Sequence, residues 1–347
     1  MTQRAATVSA EVSVREKKVV TFGEAMLRLT PPSNDRLERA VSLGVTVGGA
    51  ELNTAIGLVC LGVAASWVSV LPDNALGRAI ARGARGGGVD VSAVRWVPET
   101  EGRAGIYFLE EGTDPRPSSV TYDRANSAIA RSQAGHFDWP ALFAGASAFH
   151  LSGITPAVGP GPREDSLAAM KAAKEAGVTV AFDLNYRSKL WSEDEARTCF
   201  QELVPHADIL FASRGNLRTF FSFDGEAEGM MRQAQEHLGV KVVVLTRKKG
   251  KASRSISLSS IALGANGQIG ESPWRKVEIV DRLGGGDAYA AGFLAAYLDD
   301  PADIAHAASL GTAAAAIKHT MPGDFLATTR AEVEGVLASD AGGVLQR

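Results

Sequence analysis

Short runs of β-branched and other apolar residues alternate along the chain with longer, alanine-rich stretches whose apolar positions recur every three to four residues. That rhythm predicts repeated strand–helix–strand units and a mostly parallel sheet. Strands are expected at 18–22, 65–70, 148–151, 178–183, 209–212 and 240–246. Several are near-continuous apolar runs, as strands covered on both faces should be. Helices are expected at 50–61, 74–86, 163–176, 193–203 and 229–238. Gly62, Gly177 and Gly239 each follow a helical pattern, where a left-handed helix cap is favoured.

Two stretches break the rhythm. Residues 37–47 are short and strand-like, and 104–124 reads as a hairpin, IYFLE and VTYDR around the turn EGTDPRPSS. Neither adjoins a predicted helix, so both fit a small accessory sheet able to close over a site as a lid. Residues 328–337 look helical. The expected organisation is one α/β domain over 18–337, with a flexible tail at 1–17 and a polar tail at 338–347.

Composition narrows the function classes. Thirty-six basic and 39 acidic side chains give a formal charge of −3, which offers no basic excess for nucleic acid or an anionic membrane. Cys60 and Cys199 stand far apart without metal-ligand spacing, and the six histidines form no paired pattern. No apolar run approaches a membrane span, and the first 17 residues carry no apolar core of a secretory signal. A cytoplasmic protein without membrane or nucleic-acid partners is expected.

The chemistry concentrates in IVDRLGGGDAYAAGF, residues 279–293. An apolar strand end reaches Asp281, three glycines follow at Gly284, Gly285 and Gly286, and Asp287 opens an all-apolar helix. Consecutive glycines let backbone N–H groups converge at the positive end of a helix dipole, a cradle for a phosphate. A carboxylate there would repel a resting anion. Either Asp287 is a plain helix cap, or it is a base that deprotonates an attacking hydroxyl while the glycine N–H groups stabilise the transferring phosphoryl group. The spacing matches neither a P-loop nor a dinucleotide fingerprint.

Other elements carry candidate ligands. GGAELN at 48–53 leads into a helix; either Gly49 permits close backbone approach and Asn53 offers a donor and an acceptor to a polyol, or Gly48 and Gly49 simply make a tight turn and Asn53 faces solvent. DLNYR at 183–187 follows a buried strand, placing Asp183, Asn185 and Arg187 at a carboxyl edge of the sheet, where open α/β sheets bind ligands. Arg187 either pairs with Asp183 or presents its fork to a phosphate or carboxylate. Tyr122 and Arg124 alternate onto one face of the second hairpin strand, and Tyr107 lies on the first, a set that is either ordinary strand surface or able to hold a sugar acid.

Taken in order, GGAELN, DNALG with GVD, DLNYR and GGGDAYAAGF resemble the ribokinase-like (PfkB-type) carbohydrate kinase family over nearly the whole chain. YDRANSA, HLSGITPA, DLNYRSKLW and KHTMPGDF are most similar to its 2-keto-3-deoxygluconate kinases. The resemblance implies a three-layer α/β/α sandwich with a β-sheet lid, and ATP with Mg2+ phosphorylating the terminal hydroxyl of a sugar acid. It leaves a monovalent cation open. It implies Asp287 as base and Gly284–Gly286 as anion hole. By position, Gly49, Asn53, Tyr107, Tyr122, Arg124 and Arg187 match the sugar site, and Ser213, Thr246, Arg247, Gly284 and Gly286 the ATP side; no metal ligand is assigned.

Three departures accompany it. Ser213-Arg214-Gly215-Asn216 stands where the family usually has Asn-x-x-Glu, which puts Mg2+ handling in question; RKKGKASRS at 247–255 is an unusually basic loop; and Arg282 replaces a common threonine. Rival expectations are a kinase of the same family for fructose, ribose or the galacto keto-deoxy acid, a catalytically weak sugar-binding regulator, and an unrelated nucleotide-binding oxidoreductase. Exposed lid strands able to pair edge to edge make a homo-oligomer a further expectation.

Overall fold

The computed structural model describes residues 17–250 and 255–338. The two expected tails therefore lie outside the described residues, apart from Lys17 and Ala338 at their edges.

In chain order the strands are β1 (Lys18–Phe22), β2 (Met26–Thr30), β3 (Gly44–Gly48), β4 (Ala64–Pro72), β5 (Val94–Val97), β6 (Gly105–Glu110) and β7 (Ser119–Asp123). They continue as β8 (Ala148–Ser152), β9 (Thr179–Asp183), β10 (Ile209–Ala212), β11 (Val242–Lys249), β12 (Ser255–Leu263), β13 (Ile269–Glu271) and β14 (Arg275–Glu278). The helices are α1 (Ala50–Cys60), α2 (Ala75–Gly86), α3 (Trp139–Leu142), α4 (Pro160–Glu175) and α5 (Glu193–Leu203). They are followed by α6 (Arg214–Phe221), α7 (Ala227–Leu238), α8 (Gly285–Asp299), α9 (Ile304–His319) and α10 (Arg330–Ala338).

The main sheet runs β5-β4-β1-β8-β9-β10-β11-β12-β13, with β14 also on β12. It is parallel from β5 to β11 and antiparallel beyond. Successive strand residues feed opposite cores, as the period of two requires. Val19, Ala181, Phe211 and Val244 pack with α1, α8 and α9, whereas Val20, Phe182, Leu210 and Val243 pack with α4 to α7. Helices thus cover both faces, and the expected three-layer α/β architecture is present.

Local signals behave as expected. Asn74 caps α2 by accepting from the N–H groups of Leu76 and Gly77 at 3.0 and 2.9 Å, and Ser192 and Glu195 form a capping box on α5. Gly62, Gly177 and Gly239 have φ of 83°, 70° and 73°.

The accessory sheet is larger than the sequence suggested. Its order is β3-β2-β6-β7. The strand β2 was not anticipated, because only Gly23, Glu24 and Ala25 separate it from β1. Within 37–47 only Gly44–Val47 is strand, Leu37–Arg39 being a single 3-10 turn, and β3 runs directly into α1 through Gly49. The basic stretch expected as a loop at 247–255 is strand at both ends: Arg247, Lys248 and Lys249 pair with Ser259, Leu258 and Ser257.

Candidate active site

The carboxyl ends of β1, β8, β9, β10 and β11 converge on one edge of the sheet, and the N-terminus of α8 meets them there. Gly284 caps α8 with φ of 77°, the left-handed region that glycine favours, and a Cβ on it would collide with the Asp324 carbonyl oxygen. A Cβ on Gly285 would meet the His319 ring, whereas Gly286 faces open space. The glycines therefore allow close packing beneath the turn and free access above it.

Asp287 sits in the first turn of α8, half-buried. Its Oδ2 accepts a 2.7 Å hydrogen bond from Asn53 Nδ2, and Asn53 Oδ1 in turn accepts from the Gly49 N–H at 3.2 Å. Gly49 is needed for proximity: its backbone is extended, but a Cβ would strike the Glu24 carbonyl oxygen. Three elements distant in sequence thus assemble Gly49, Asn53 and Asp287.

Burial pushes the Asp287 carboxyl up to about 6, against the lowering effects of the Asn53 hydrogen bond and the Arg187 charge. Asp183 is pushed up to about 7 by burial and then by the Asp287 charge, while one of its oxygens accepts from the Asn185 N–H at 3.0 Å. Glu51, fully buried in the first turn of α1, is also raised to about 7 by burial; Ser152 and Thr155 hydroxyls donate to it at 2.7 and 2.8 Å. Burial-raised carboxyls grouped near a sheet edge make this edge the candidate functional site.

Arg187 is exposed and forms no ion pair within 4.0 Å among the described residues, so the expected alternative of an Asp183–Arg187 pair is not formed. It lines a cavity of about 210 Å3 with Asp183, Asn185, Ser213, Asn216, Thr246 and Gly286. A second cavity of about 160 Å3 adjoins it through Thr246 and Gly286, bordered by Arg247, Lys248, Gly285 and His319. The Arg247 guanidinium is turned toward β12 and β13, donating to Ser259 at 2.8 Å and Glu271 at 2.9 Å.

The lid residues divide. Tyr107 and Tyr122 are register partners with ring centroids 6.0 Å apart. Tyr107 is buried and its hydroxyl donates to Asp324 at 2.7 Å, which commits it to the protein itself. Tyr122 is exposed and lines a cleft of about 580 Å3 with Arg124, Ala157, Val158 and Lys189. Arg124 pairs with Glu24 and lies 5.5 Å from the Tyr122 ring centroid, while its Nε has no partner among the described residues.

Magnesium can be tested against the donor set. Among the described residues no three His, Cys, Asp or Glu side chains cluster to hold a metal. Asn216 is turned back on Ser213, accepting from its hydroxyl at 2.8 Å as part of a helix cap. What remains near the cavity is the Asp183 carboxylate. That set fits an ion held chiefly by phosphate oxygens and waters, the usual habit of Mg2+.

Several residues escaped the sequence reading. Arg28, on the unanticipated β2, bridges Asp281 at 2.6 Å and Asp324 at 2.8 Å in the buried layer under the glycine turn. Its signal was an arginine flanked by leucines in MLRLT. Lys318 and His319 pack beneath the same turn, but their motif, KHTMPGDF, carries no chemical pattern by itself.

Comparison with known proteins agrees with the geometry. Residues 16–328 match the family profile described as pfkB family carbohydrate kinase. A 2-dehydro-3-deoxygalactonokinase of Haloferax volcanii is 39% identical over 94% of this chain and 98% of its own length. A 2-dehydro-3-deoxygluconokinase of Bacillus subtilis is 29% identical over 88% and 90%. The crystal structure of 2-dehydro-3-deoxygluconokinase from Thermotoga maritima superposes with a TM-score of 0.89 at 36% identity, covering 93% of this chain and 99% of that one.

Proposed function

The chain belongs to the pfkB family of carbohydrate kinases, and from that premise we propose that it transfers the γ-phosphoryl group of ATP to the terminal hydroxyl of a 2-keto-3-deoxyhexonate. The observation that carries this reading is the carboxyl of Asp287, fixed by Asn53 in the first turn of α8 beside Gly286, where no atom lies within 4 Å of the position a Cβ would take.

In this mechanism Asp287 accepts the proton of the attacking hydroxyl, and Asn53 keeps its Oδ2 oriented for that transfer. The N–H groups of Gly285 and Gly286 stabilise charge on the transferring group. Arg187, unpaired and adjacent to both Asp183 and Asp287, supplies positive charge on the phosphate side. Ser213 and Thr246 border the same cavity and serve the nucleotide. Magnesium bound with the phosphates would neutralise their charge, with Asp183 the carboxylate nearest at hand.

Acid recognition belongs to the lid. Tyr122 and Arg124 meet the cleft, and Arg124 has donor capacity beyond its pair with Glu24. Relatives named for both the gluco and the galacto acid resemble this chain, and these epimers differ at one carbinol centre. The gluco acid is the reading we put first.

The test is a coupled assay with ATP and Mg2+ across both keto-deoxy acids, fructose, ribose and gluconate. Strong preference for a keto-deoxy acid supports the proposal, and the faster epimer names the substrate. Turnover of neutral sugars alone would remove the acid pocket while leaving Asp287 as base.

A further inference from the structure

Lys318 lies in the last turn of α9 with its side chain wholly removed from solvent. A buried ammonium is costly unless something around it requires the charge. The Lys318 Nζ donates to the Met321 carbonyl at 3.3 Å, and its Cε lies 3.2 Å from the point where a Cβ on Gly284 would sit. The ammonium is therefore lodged directly under the cap of the helix that opens the anion cradle. Burial, and to a smaller extent the Arg28 charge, push the Lys318 ammonium down from its usual range, while Asp281, Asp324 and Asp287 act to keep it charged, none of them as a direct ion pair within 4.0 Å.

The surrounding oxygens explain what it replaces. Asp281 Oδ1 accepts from the Leu283 N–H at 3.0 Å, and Asp281 Oδ2 accepts from the Gly323 N–H at 3.0 Å while binding Arg28. The Asp281 and Gly323 segments are thus tied together, and Val280 N–H donates to the His319 carbonyl at 2.8 Å in the same seam. A carboxylate and turn carbonyls packed under a phosphate cradle are the oxygens a monovalent metal ion would use. Here N–H groups, a guanidinium and an ammonium already occupy them. The residues present do not fit an added ion.

We infer that Lys318 is the resident cation of the anion cradle, a positioning residue that holds the 281–284 turn against the 319–324 turn and compensates charge there, so that turnover needs no monovalent metal. The inference rests on the phosphoryl-transfer reading for its kinetic consequence, and a second readout stands apart from turnover.

The experiment compares wild type with Lys318→Ala in equimolar KCl, NaCl, NH4Cl and tetramethylammonium chloride. Wild-type kcat is expected to be the same in all four salts. Lys318→Ala is expected to lose kcat on the order of 100-fold, the scale of one lost charge-stabilising group, with little change in acceptor KM. Potassium or ammonium should restore part of that rate, and tetramethylammonium should not. In parallel, thermal melting of Lys318→Ala should rise with KCl over tetramethylammonium chloride, and that of wild type should not. The melting result decides the inference even where no acceptor is turned over. Potassium activation of the wild type, unchanged kcat in the variant, or a loss that no small cation rescues would each overturn it. If Lys318→Ala does not fold, Lys318→Met takes its place in both measurements, and potassium activation of the wild type would still overturn the inference.

Discussion

Replacing Asn53 with leucine keeps the bulk of the side chain and removes the one hydrogen bond that, among the described residues, the Asp287 carboxyl receives from another side chain. The bond is 2.7 Å long and donated to a carboxylate that burial has raised to about 6. Hydrogen bonds to charged groups contribute about 1.5–3 kcal/mol, and one pH unit corresponds to about 1.4 kcal/mol. Loss of the donor should therefore move the Asp287 carboxyl upward by roughly one to two units. The assay is kcat against pH at saturating ATP and acceptor. In wild type the rate should rise with pH through about 6, as the base loses its proton. In Asn53→Leu the same acid limb should appear roughly one to two units higher, so the deficit is large at mildly acid pH and shrinks in alkali. The Gly49 N–H also loses its acceptor, at a cost of about 1–3 kcal/mol of stability, so urea midpoints must show the variant folded across the range. An acid limb that stays at its wild-type position in folded Asn53→Leu would refute the assignment of Asp287 as the titrating base.

Other consequences are equally direct. Arg124→Ala should raise KM for a keto-deoxy acid well above any change for a neutral sugar; equal effects on both would remove the arginine from acid recognition. Glu51 carries a carboxyl raised from 4.5 to about 7, so the folded state holds a proton through a window in which the unfolded chain has lost it. Stability should then fall as pH rises from about 4.5 to about 7, by up to about 3 kcal/mol, and Glu51→Gln should flatten that fall in urea melts at several pH values. Gly284→Ala places a Cβ at φ of 77° against the Asp324 carbonyl. A loss of at least about 2 kcal/mol is expected from strain and overpacking together, read as a shift in denaturant midpoint.

The core architecture was legible because its strands and helices advertise themselves by period. The β10 and α5 boundaries coincide with those read from the sequence, and the glycine caps fall where a left-handed residue was needed. The lid was read incompletely for a physical reason. Strand β2 follows β1 after three residues yet belongs to a different sheet, and periodicity along the chain cannot signal a change of sheet. The meeting of Gly49, Asn53 and Asp287 was suggested by residue type, but the Asn53–Asp287 hydrogen bond spans 234 positions and only the fold reveals it. Tyr107 illustrates the opposite case. It lies on the expected strand, but its hydroxyl is taken by Asp324, a residue whose neighbouring sequence gives no hint of pairing. Ion pairs such as Arg28 with Asp281 and Asp324 follow from tertiary packing alone.

Asp287→Asn removes the carboxylate proposed as the base of the phosphoryl transfer while keeping its shape. Calorimetric titration with ATP and with the acceptor should give nearly unchanged affinities, because the amide preserves shape. Turnover should fall by about 100- to 10,000-fold, the range of a lost general base. A variant that binds both ligands and turns over at the wild-type rate would contradict the account.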